Sequence, residues 1–448
     1  MTTAEHRISV TPSERLNTIL SERIAFGIPL YIYIPFLLIV LAAVFTNTLP
    51  DDMIGGSAYL FMVGGIFVYI GDRLPIWKSW FGGGIVFCLV VGMAIQYFAL
   101  IPEPAYVTVN AFFSDGADLL TWAVTALIAG SILSMPRPYL VKAFPYYVPT
   151  VIGGLIFAGL FAFIGGAALG YGGIHAILTV SIPIQGGGMG AGGIPMSEIY
   201  ASGAGTSFEQ VFSIIAPAII VGNIVAIALG GILNRIGQKR RSWSGDGVLL
   251  PEGKWLPDEG IDEEETRLTY EAVLMGWVVA VVLLTLGHFV AIWIPLHPFA
   301  LMVIAAAVIK ILGWLPNEVE QGAGHFYNFL LAGFLGPVLL GIGLIHIDVQ
   351  VFLATLTPTY LALVTVAVFG AAFGAAVVGE LVGMFPIEAS LCGGLCMANM
   401  GGSGDVATLA AADRMELMSF AQISSRLGGG IMLLIANFAV SIWGSFLL

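Results

Sequence analysis

Apolar runs of roughly bilayer-spanning length recur along almost the whole of this 448-residue chain. A helix crossing the hydrocarbon needs about 20 such residues. Runs near that length fall at 25–47, 54–71, 79–101, 117–135 and 147–170, then at 208–233, 271–294, 299–314, 327–346 and 351–378, with a last one ending at Leu448. Only 10% of residues are charged, against about 25% in a soluble domain. The expected architecture is therefore an all-α polytopic membrane protein whose first partner is the lipid bilayer.

The first 23 residues are polar and lack the apolar core and small-residue cleavage site of a signal peptide. They read as a retained N-terminal segment, 1–23. The net charge of −12 arises mostly in loops, notably Asp258, Glu259, Asp262, Glu263, Glu264 and Glu265. It describes solvated surface and carries no information about a substrate; no nucleic-acid partner is expected. Cys88, Cys392 and Cys396 show neither a zinc spacing nor a disulfide framework and read as packed apolar residues, although Cys392 and Cys396 could share a helix face.

Charge sets the orientation. Arg7, Arg15 and Arg23 precede the first run and place the N-terminus in the cytoplasm; Arg73 and Lys78, then Arg137 and Lys142, fall on later inside loops. Asp51, Asp52, Glu103, Asp115 and Asp118 fall outside. Five spans leave the chain outside near Gly173, yet Arg235, Lys239, Arg240 and Arg241 require the end of the sixth to be inside. The intervening stretch 176–200 must then enter and leave on the outer side. It holds six glycines among residues 186–193. In a continuous helix these would cost on the order of 5 kcal/mol relative to alanine, at about 1 kcal/mol each. A broken, re-entrant hairpin is the better fold, and such backbone is tolerated at membrane depth only against protein or a water-filled cavity.

Residues 235–270, with Pro251, Pro257 and the acidic run, read as a cytoplasmic linker. Four spans follow, with Lys310 on an inside loop and Asp348 on an outside one, then a second glycine tract at 382–404, a polar stretch from Asp405 to Glu416, and the last span. With the first helix set aside, 24–234 and 271–448 read as inverted-topology repeats of about five spans, each with a re-entrant glycine hairpin. The C-terminus lies outside. In transporters this arrangement puts the substrate at the repeat interface.

The tips, Gly187-Gly-Met-Gly190 and Gly401-Gly-Ser-Gly404, expose backbone N–H groups that suit an anion, or else simply allow close helix packing. Arg426 opens the last apolar run. A membrane arginine costs roughly 2.5–3.5 kcal/mol at a helix centre and implies an anionic partner: a substrate carboxylate, or a fixed acid such as Asp405, Glu388 or Glu380. An interfacial position is the plainer alternative. Asp405 reads as a helix N-cap or, with Asn399, Ser403, Ser424 and Ser425, as hard oxygen ligands for a small cation. The neutral oxygens favour sodium, while Asp405 keeps proton coupling open. His175, His288, His297, His325 and His346 read as interfacial, and Arg414 and Glu416 as cytoplasmic surface. No catalytic motif is present, so no enzyme activity is expected.

At Gly186-Gly-Gly-Met-Gly-Ala-Gly192, Pro195-Met-Ser-Glu-Ile-Tyr200, Cys396-Met-Ala-Asn-Met-Gly-Gly-Ser-Gly-Asp405 and Arg414-Met-Glu-Leu-Met-Ser-Phe-Ala-Gln-Ile-Ser-Ser-Arg-Leu-Gly-Gly-Gly430, the chain resembles the 2-hydroxycarboxylate transporter family of bacterial sodium-coupled citrate carriers and related malate carriers. The resemblance implies a plasma-membrane homodimer and an elevator movement of a domain holding both hairpins. It implies Arg426 as main carboxylate ligand, with Gly190, Gly402 and Ser403 around the substrate. Sodium, the coupling ion, would take carbonyls of Ile184, Gly187 and Met397 and side chains of Asn399, Asp405 and Ser425. Met189 and Met400 stand where the citrate carriers carry asparagine and a second arginine, which argues for a dicarboxylate such as malate over citrate. A membrane subunit of a sodium-pumping decarboxylase, a channel, and a structural or receptor protein are the competing readings. They predict, respectively, soluble partner subunits, conductance without saturable exchange, and no flux.

Overall fold

The computed structural model describes residues 21–113, 117–135, 137–251 and 268–447, with side chains of 137–144 left out. Arg7, Arg15, Asp115, the side chains of Arg137 and Lys142, Pro257 and the acidic run at 258–265 lie outside the described residues.

The described chain is helical throughout. In order come α1 (Leu30–Phe45), α2 (Met53–Gly71), a short helix Pro75–Trp80, α3 (Gly83–Tyr97), α4 (Glu103–Phe113), α5 (Leu119–Leu133) and α6 (Arg137–Ala168). A first hairpin follows, then α7 (Phe208–Lys239), α8 (Tyr270–Ala291), α9 (Pro298–Leu312), α10 (Asn317–Gly333), α11 (Leu335–Ile345), a short helix Val349–Thr355 and α12 (Pro358–Leu381). A second hairpin leads into α13 (Met418–Trp443). On both sides of the linker the helices lead into a hairpin that is followed by one long helix. Starts are set by local caps: Asp52 accepts from Ile54 N and Gly55 N, Ser207 from Gln210 N, and Thr357 from Tyr360 N ahead of Pro358.

Among the described residues six helices are long and apolar enough to cross a membrane, or seven with the bent pair α10–α11 counted as one span. The expected spans 25–47, 79–101, 117–135 and 299–314 instead form helices of 16, 15, 15 and 15 residues, only about 22–24 Å long at 1.5 Å per residue. The run at 327–346 is broken at Phe334 with a bend of 55°, because a helix starting at Asn317 ends at Gly333 and a new one starts before Pro337.

Three further expectations are corrected. The second hairpin does not end at 404: its first limb is Pro386–Ala389 continued by Ser390–Leu395, and its second limb is the helix Gly402–Ala412. The supposed polar stretch after Asp405 is therefore mostly hairpin, with Thr408, Leu409 and Ala412 buried. Lys310 is not on a loop but 4% exposed in the last turn of α9; its Nζ donates to Glu320 Oε2 at 2.5 Å and to the Leu133 carbonyl at 2.8 Å. Arg414 is 6% exposed rather than a surface residue. Its guanidinium meets Glu388 Oε1 at 3.3 Å and Asp246 Oδ1 at 2.9 Å, a pairing that a buried charge requires.

Contacts between chain segments sort the loops into two sets. Glu22 pairs with Arg73, Ser244 and Asp246 meet Glu388 and Arg414, and Lys310 meets Leu133. In the other set Thr108 Oγ1 meets Asp51, Asp348 N donates to Ser213 Oγ, and His175 Nδ1 lies 2.7 Å from the Phe446 carbonyl.

Helices pack in two groups. One comprises α6, α7, α12, α13 and both hairpins; the other, α2–α5 and α8–α11. Small residues bring backbones together within each: a Cβ on Gly374 would lie 2.4 Å from the Gly153 carbonyl, and one on Gly343 would lie 2.2 Å from that of Leu89.

Candidate functional site

Each hairpin has a broken tip between two helical limbs. In the first, Gly173–Ile184 runs inward and the chain turns back through Gln185–Gly188 into Met189–Gly193 and Ile194–Ala204. The limbs hold π-helical turns at Ile177–Ser181 and Met189–Gly193, matched by Ser390–Leu395 in the second hairpin, a winding often found at functional sites. Glycine is needed at Gly188, whose φ is +100° and where a Cβ would lie 2.3 Å from the Met400 carbonyl. The tips therefore touch. A Cβ on Gly401 would lie 3.0 Å from the Gly187 carbonyl.

Between the tips lies a cavity of about 270 Å³, just under the range of about 300–1,000 Å³ usual for ligand pockets and suited to a small molecule. All six residues expected around a substrate, Arg426, Met189, Gly190, Met400, Gly402 and Ser403, line it. So do Gly187, Asp405 and Ser425 from the expected sodium set, whereas Ile184, Met397 and Asn399 are buried behind the lining. The second limbs begin at Met189 and Gly402, so both present N-terminal N–H groups to the cavity, a favourable arrangement for an anion.

Arg426 and Asp405 are the charged residues of the lining. Among the described residues no carboxylate lies within 4.0 Å of the Arg426 guanidinium. The expected fixed acids are elsewhere: Glu388 is held by Arg414, Ser244 Oγ and Gly245 N, Asp405 by the polar groups described next, and Glu380 is exposed. Arg426 Nη1 instead donates to Ser134 Oγ at 2.9 Å, and its Cζ is 5.4 Å from the Tyr327 ring centroid. That leaves a guanidinium facing a cavity, ready for carboxylate.

Asp405 is fully buried one turn inside the second limb. It is not an N-cap, because Gly401 occupies that position. Its carboxylate accepts from Asn399 Nδ2 at 3.0 Å and from Ser425 Oγ at 3.0 and 3.2 Å. Ser425 Oγ also lies 2.9 Å from the Cys396 carbonyl, and Asn399 Oδ1 accepts from Gly401 N at 2.7 Å. Ser424 takes no part in this cluster; its Oγ lies 2.5 Å from the Tyr147 hydroxyl. A carboxylate, amide and hydroxyl with adjacent carbonyls form the hard oxygen set that a small cation uses.

Sequence reasoning missed three neighbours. Asn223 Oδ1 accepts from Met400 N at 3.2 Å while its Nδ2 donates to the Trp80 carbonyl at 3.0 Å, tying the second tip to the end of the short helix Pro75–Trp80. An amide in the apolar run of α7 was the signal available. Ser134 and Tyr327 gave none. A second cavity of about 780 Å³ shares Gly82, Ile85, Leu331 and Ser403 with the first and extends to Asp72 and Lys78.

Several apolar helices long enough to cross a bilayer, with an Arg426-lined cavity between two hairpin tips, define a multi-pass helical membrane protein. The profile of the 2-hydroxycarboxylate transporter family matches residues 25–438. The chain is 36% identical over 423 residues to the citrate/sodium symporter of Salmonella typhimurium, covering 93% of this chain and 94% of that one. It is 32% identical to the citrate transporter CitP of Lactococcus lactis, with 93% of each chain covered, and 30% identical to the malate transporter MleP of the same species, with 94% and 98% covered. The chain belongs to the 2-hydroxycarboxylate transporter family, and it is a multi-pass membrane transporter of 2-hydroxycarboxylates.

Proposed function

We propose that this carrier takes up a 2-hydroxydicarboxylate such as malate together with sodium ions. The observation that carries the reading is the Arg426 guanidinium, without a carboxylate partner among the described residues, facing a small cavity beside two helix N-termini. One substrate carboxylate pairs with Arg426; the other takes the N–H groups at Met189–Gly190 and Gly402–Ser403. Met189 and Met400 line the same cavity and supply no further positive charge, which favours two carboxylates over three. Each lost hydrogen bond to a charged group is worth about 1.5–3 kcal/mol.

Sodium is a co-substrate here. The Asp405, Asn399 and Ser425 cluster, with carbonyls of Ile184, Gly187 and Met397, would hold it, and the name of the Salmonella relative couples citrate to sodium. Loading both tips orders them, and the substrate's charge offsets that of Arg426 during passage through the bilayer.

The two halves are read as inverted repeats. In that reading the group α6, α7, α12, α13 and both hairpins moves as an elevator against the remaining helices, within a homodimer. Residues 22 and 73 lie on the cytoplasmic face, and the C-terminus outside.

Labelled malate and citrate uptake into proteoliposomes, with imposed sodium or proton gradients, tests this. Malate uptake driven by sodium and saturable is the expected result. Uptake that ignores sodium and follows a proton gradient sinks the coupling assignment, and a preference for citrate reassigns the substrate. Met400→Arg is expected to raise the citrate-to-malate uptake ratio; an unchanged ratio removes the selectivity argument.

A further inference from the structure

Arg426 carries a positive charge with no carboxylate within 4.0 Å among the described residues. Two neutral groups solvate it: Ser134 Oγ accepts from Nη1 at 2.9 Å, and the Tyr327 ring lies 5.4 Å from Cζ. Neither belongs to the helices around Arg426. Arg426 sits in α13, packed with the hairpins, whereas Ser134 caps α5 and Tyr327 lies in α10.

Both partners are themselves held in place. The Ser134 hydroxyl donates to the Gly130 carbonyl at 2.5 Å, and the adjacent Leu133 carbonyl accepts from the buried Lys310, which pairs with Glu320. Tyr327 packs on Gly130 so closely that a Cβ there would lie 2.3 Å from Tyr327 Cβ.

We propose that Ser134 and Tyr327 form a parking site for the Arg426 guanidinium in the empty carrier, so that the unloaded domain moves slowly and the loaded one moves freely. The inference rests on the elevator reading above. Sliding the empty domain pulls the cation away from the hydroxyl and the ring and leaves it poorly solvated in a low-dielectric interior, a costly state. A bound carboxylate travels with Arg426 and replaces both contacts. Exchange of substrate for substrate uses only loaded movements, whereas net uptake needs the empty domain to return. The geometry therefore biases this carrier toward exchange.

Two fluxes measured in the same proteoliposomes test the parking site: labelled malate entering vesicles preloaded with malate, and labelled malate entering empty vesicles down its gradient. In the wild type, exchange is expected to exceed net uptake. Ser134→Ala is expected to raise net uptake by about tenfold or more, the scale of one hydrogen bond to a charged group, while exchange changes less than twofold and the apparent KM falls. Tyr327→Leu is expected to shift the ratio in the same direction and serves if Ser134→Ala does not yield folded protein. A fall of both fluxes together, or an unchanged ratio, overturns the proposal.

The elevator reading is separated by a Val303→Cys, Gly430→Cys pair, since a Cβ on Gly430 would lie 3.6 Å from Val303 Cγ1 across the two groups. Because both residues line the cavity, oxidation of that pair is expected to stop both fluxes while malate binding measured by calorimetry persists, and reduction to restore the fluxes. Persistent exchange in the oxidised pair defeats the elevator reading and the parking site with it. Arrest of both fluxes, with a wild-type ratio in the Ser134→Ala carrier, defeats the parking site alone.

Discussion

At the scale of single residues, the site turns on one cation and one anion doing different work. Arg426 faces the cavity with no carboxylate within 4.0 Å among the described residues, whereas Asp405 is buried among donors. Arg426→Gln is expected to weaken carboxylate binding about 10- to 100-fold, the loss of one or more hydrogen bonds to a charged group, read as a rise in the KM for uptake or as lost binding by calorimetry. A different residue effect arises at His297, on the loop before α9. Burial, with His288 beside it, pushes its pKa from 6.5 down to about 4, and its Nδ1 accepts from Phe299 N at 3.2 Å, which requires the neutral ring. The unfolded chain takes up a proton near pH 6.5 and the folded one does not until about pH 4. Stability from this residue is thus complete above pH 6.5 and falls as pH drops towards 4. His297→Asn, which keeps a capping acceptor, is expected to flatten the decline in melting temperature over that interval in detergent. Arg426 and Asp405 stood out in the sequence because charge is costly in an apolar run. Ser134 and Tyr327 did not, because a serine and a tyrosine near a helix end are ordinary, and only their approach to Arg426 across 292 and 99 positions gives them a role.

At the scale of elements, the hairpins depend on backbone that only glycine supplies. Gly188→Ala combines a φ of +100° and ψ of −176°, a backbone essentially confined to glycine that costs other residues about 1–3 kcal/mol, with a Cβ 2.3 Å from the Met400 carbonyl, so the tips must separate. Transport is expected to be lost while the protein still purifies in one peak. Gly170→Ala, with a φ of +70° but nothing within 4 Å, is expected to lower stability slightly and retain transport. The second hairpin is further held at its open end. Glu388, fully buried, accepts from Ser244 Oγ, Gly245 N and Arg414 Nε, and Phe385 N donates to the Leu249 carbonyl. Leaving a buried charge wholly uncompensated typically costs about 3–5 kcal/mol; Arg414 keeps Asp246, so Glu388→Gln is expected to cost less and to lower the unfolding midpoint by a few degrees. The glycine tracts announced both tips. The true extent of the second hairpin, through Ala412, was hidden because Asp405 and Arg414 look like loop residues until their buried partners are seen.

At the scale of the whole molecule, two groups of helices meet across the site, and contacts such as Asn223 to the Trp80 carbonyl and Arg426 to Ser134 bridge them. If the groups move against each other, such contacts must break and re-form. A charge count along the chain was enough to require a hairpin between α6 and α7, because desolvating charge and unpaired backbone in hydrocarbon is costly wherever the chain runs. The same local costs marked the glycine tips and the lone arginine, and the motifs around them pointed to the family. Helix lengths, the break at Phe334, the burial of Lys310 and Arg414 and the surroundings of Arg426 were decided only by tertiary packing. Each depends on which distant segment supplies the counter-charge, the hydroxyl or the gap for a backbone to enter, and hydrophobic periodicity along one chain carries no record of those partners.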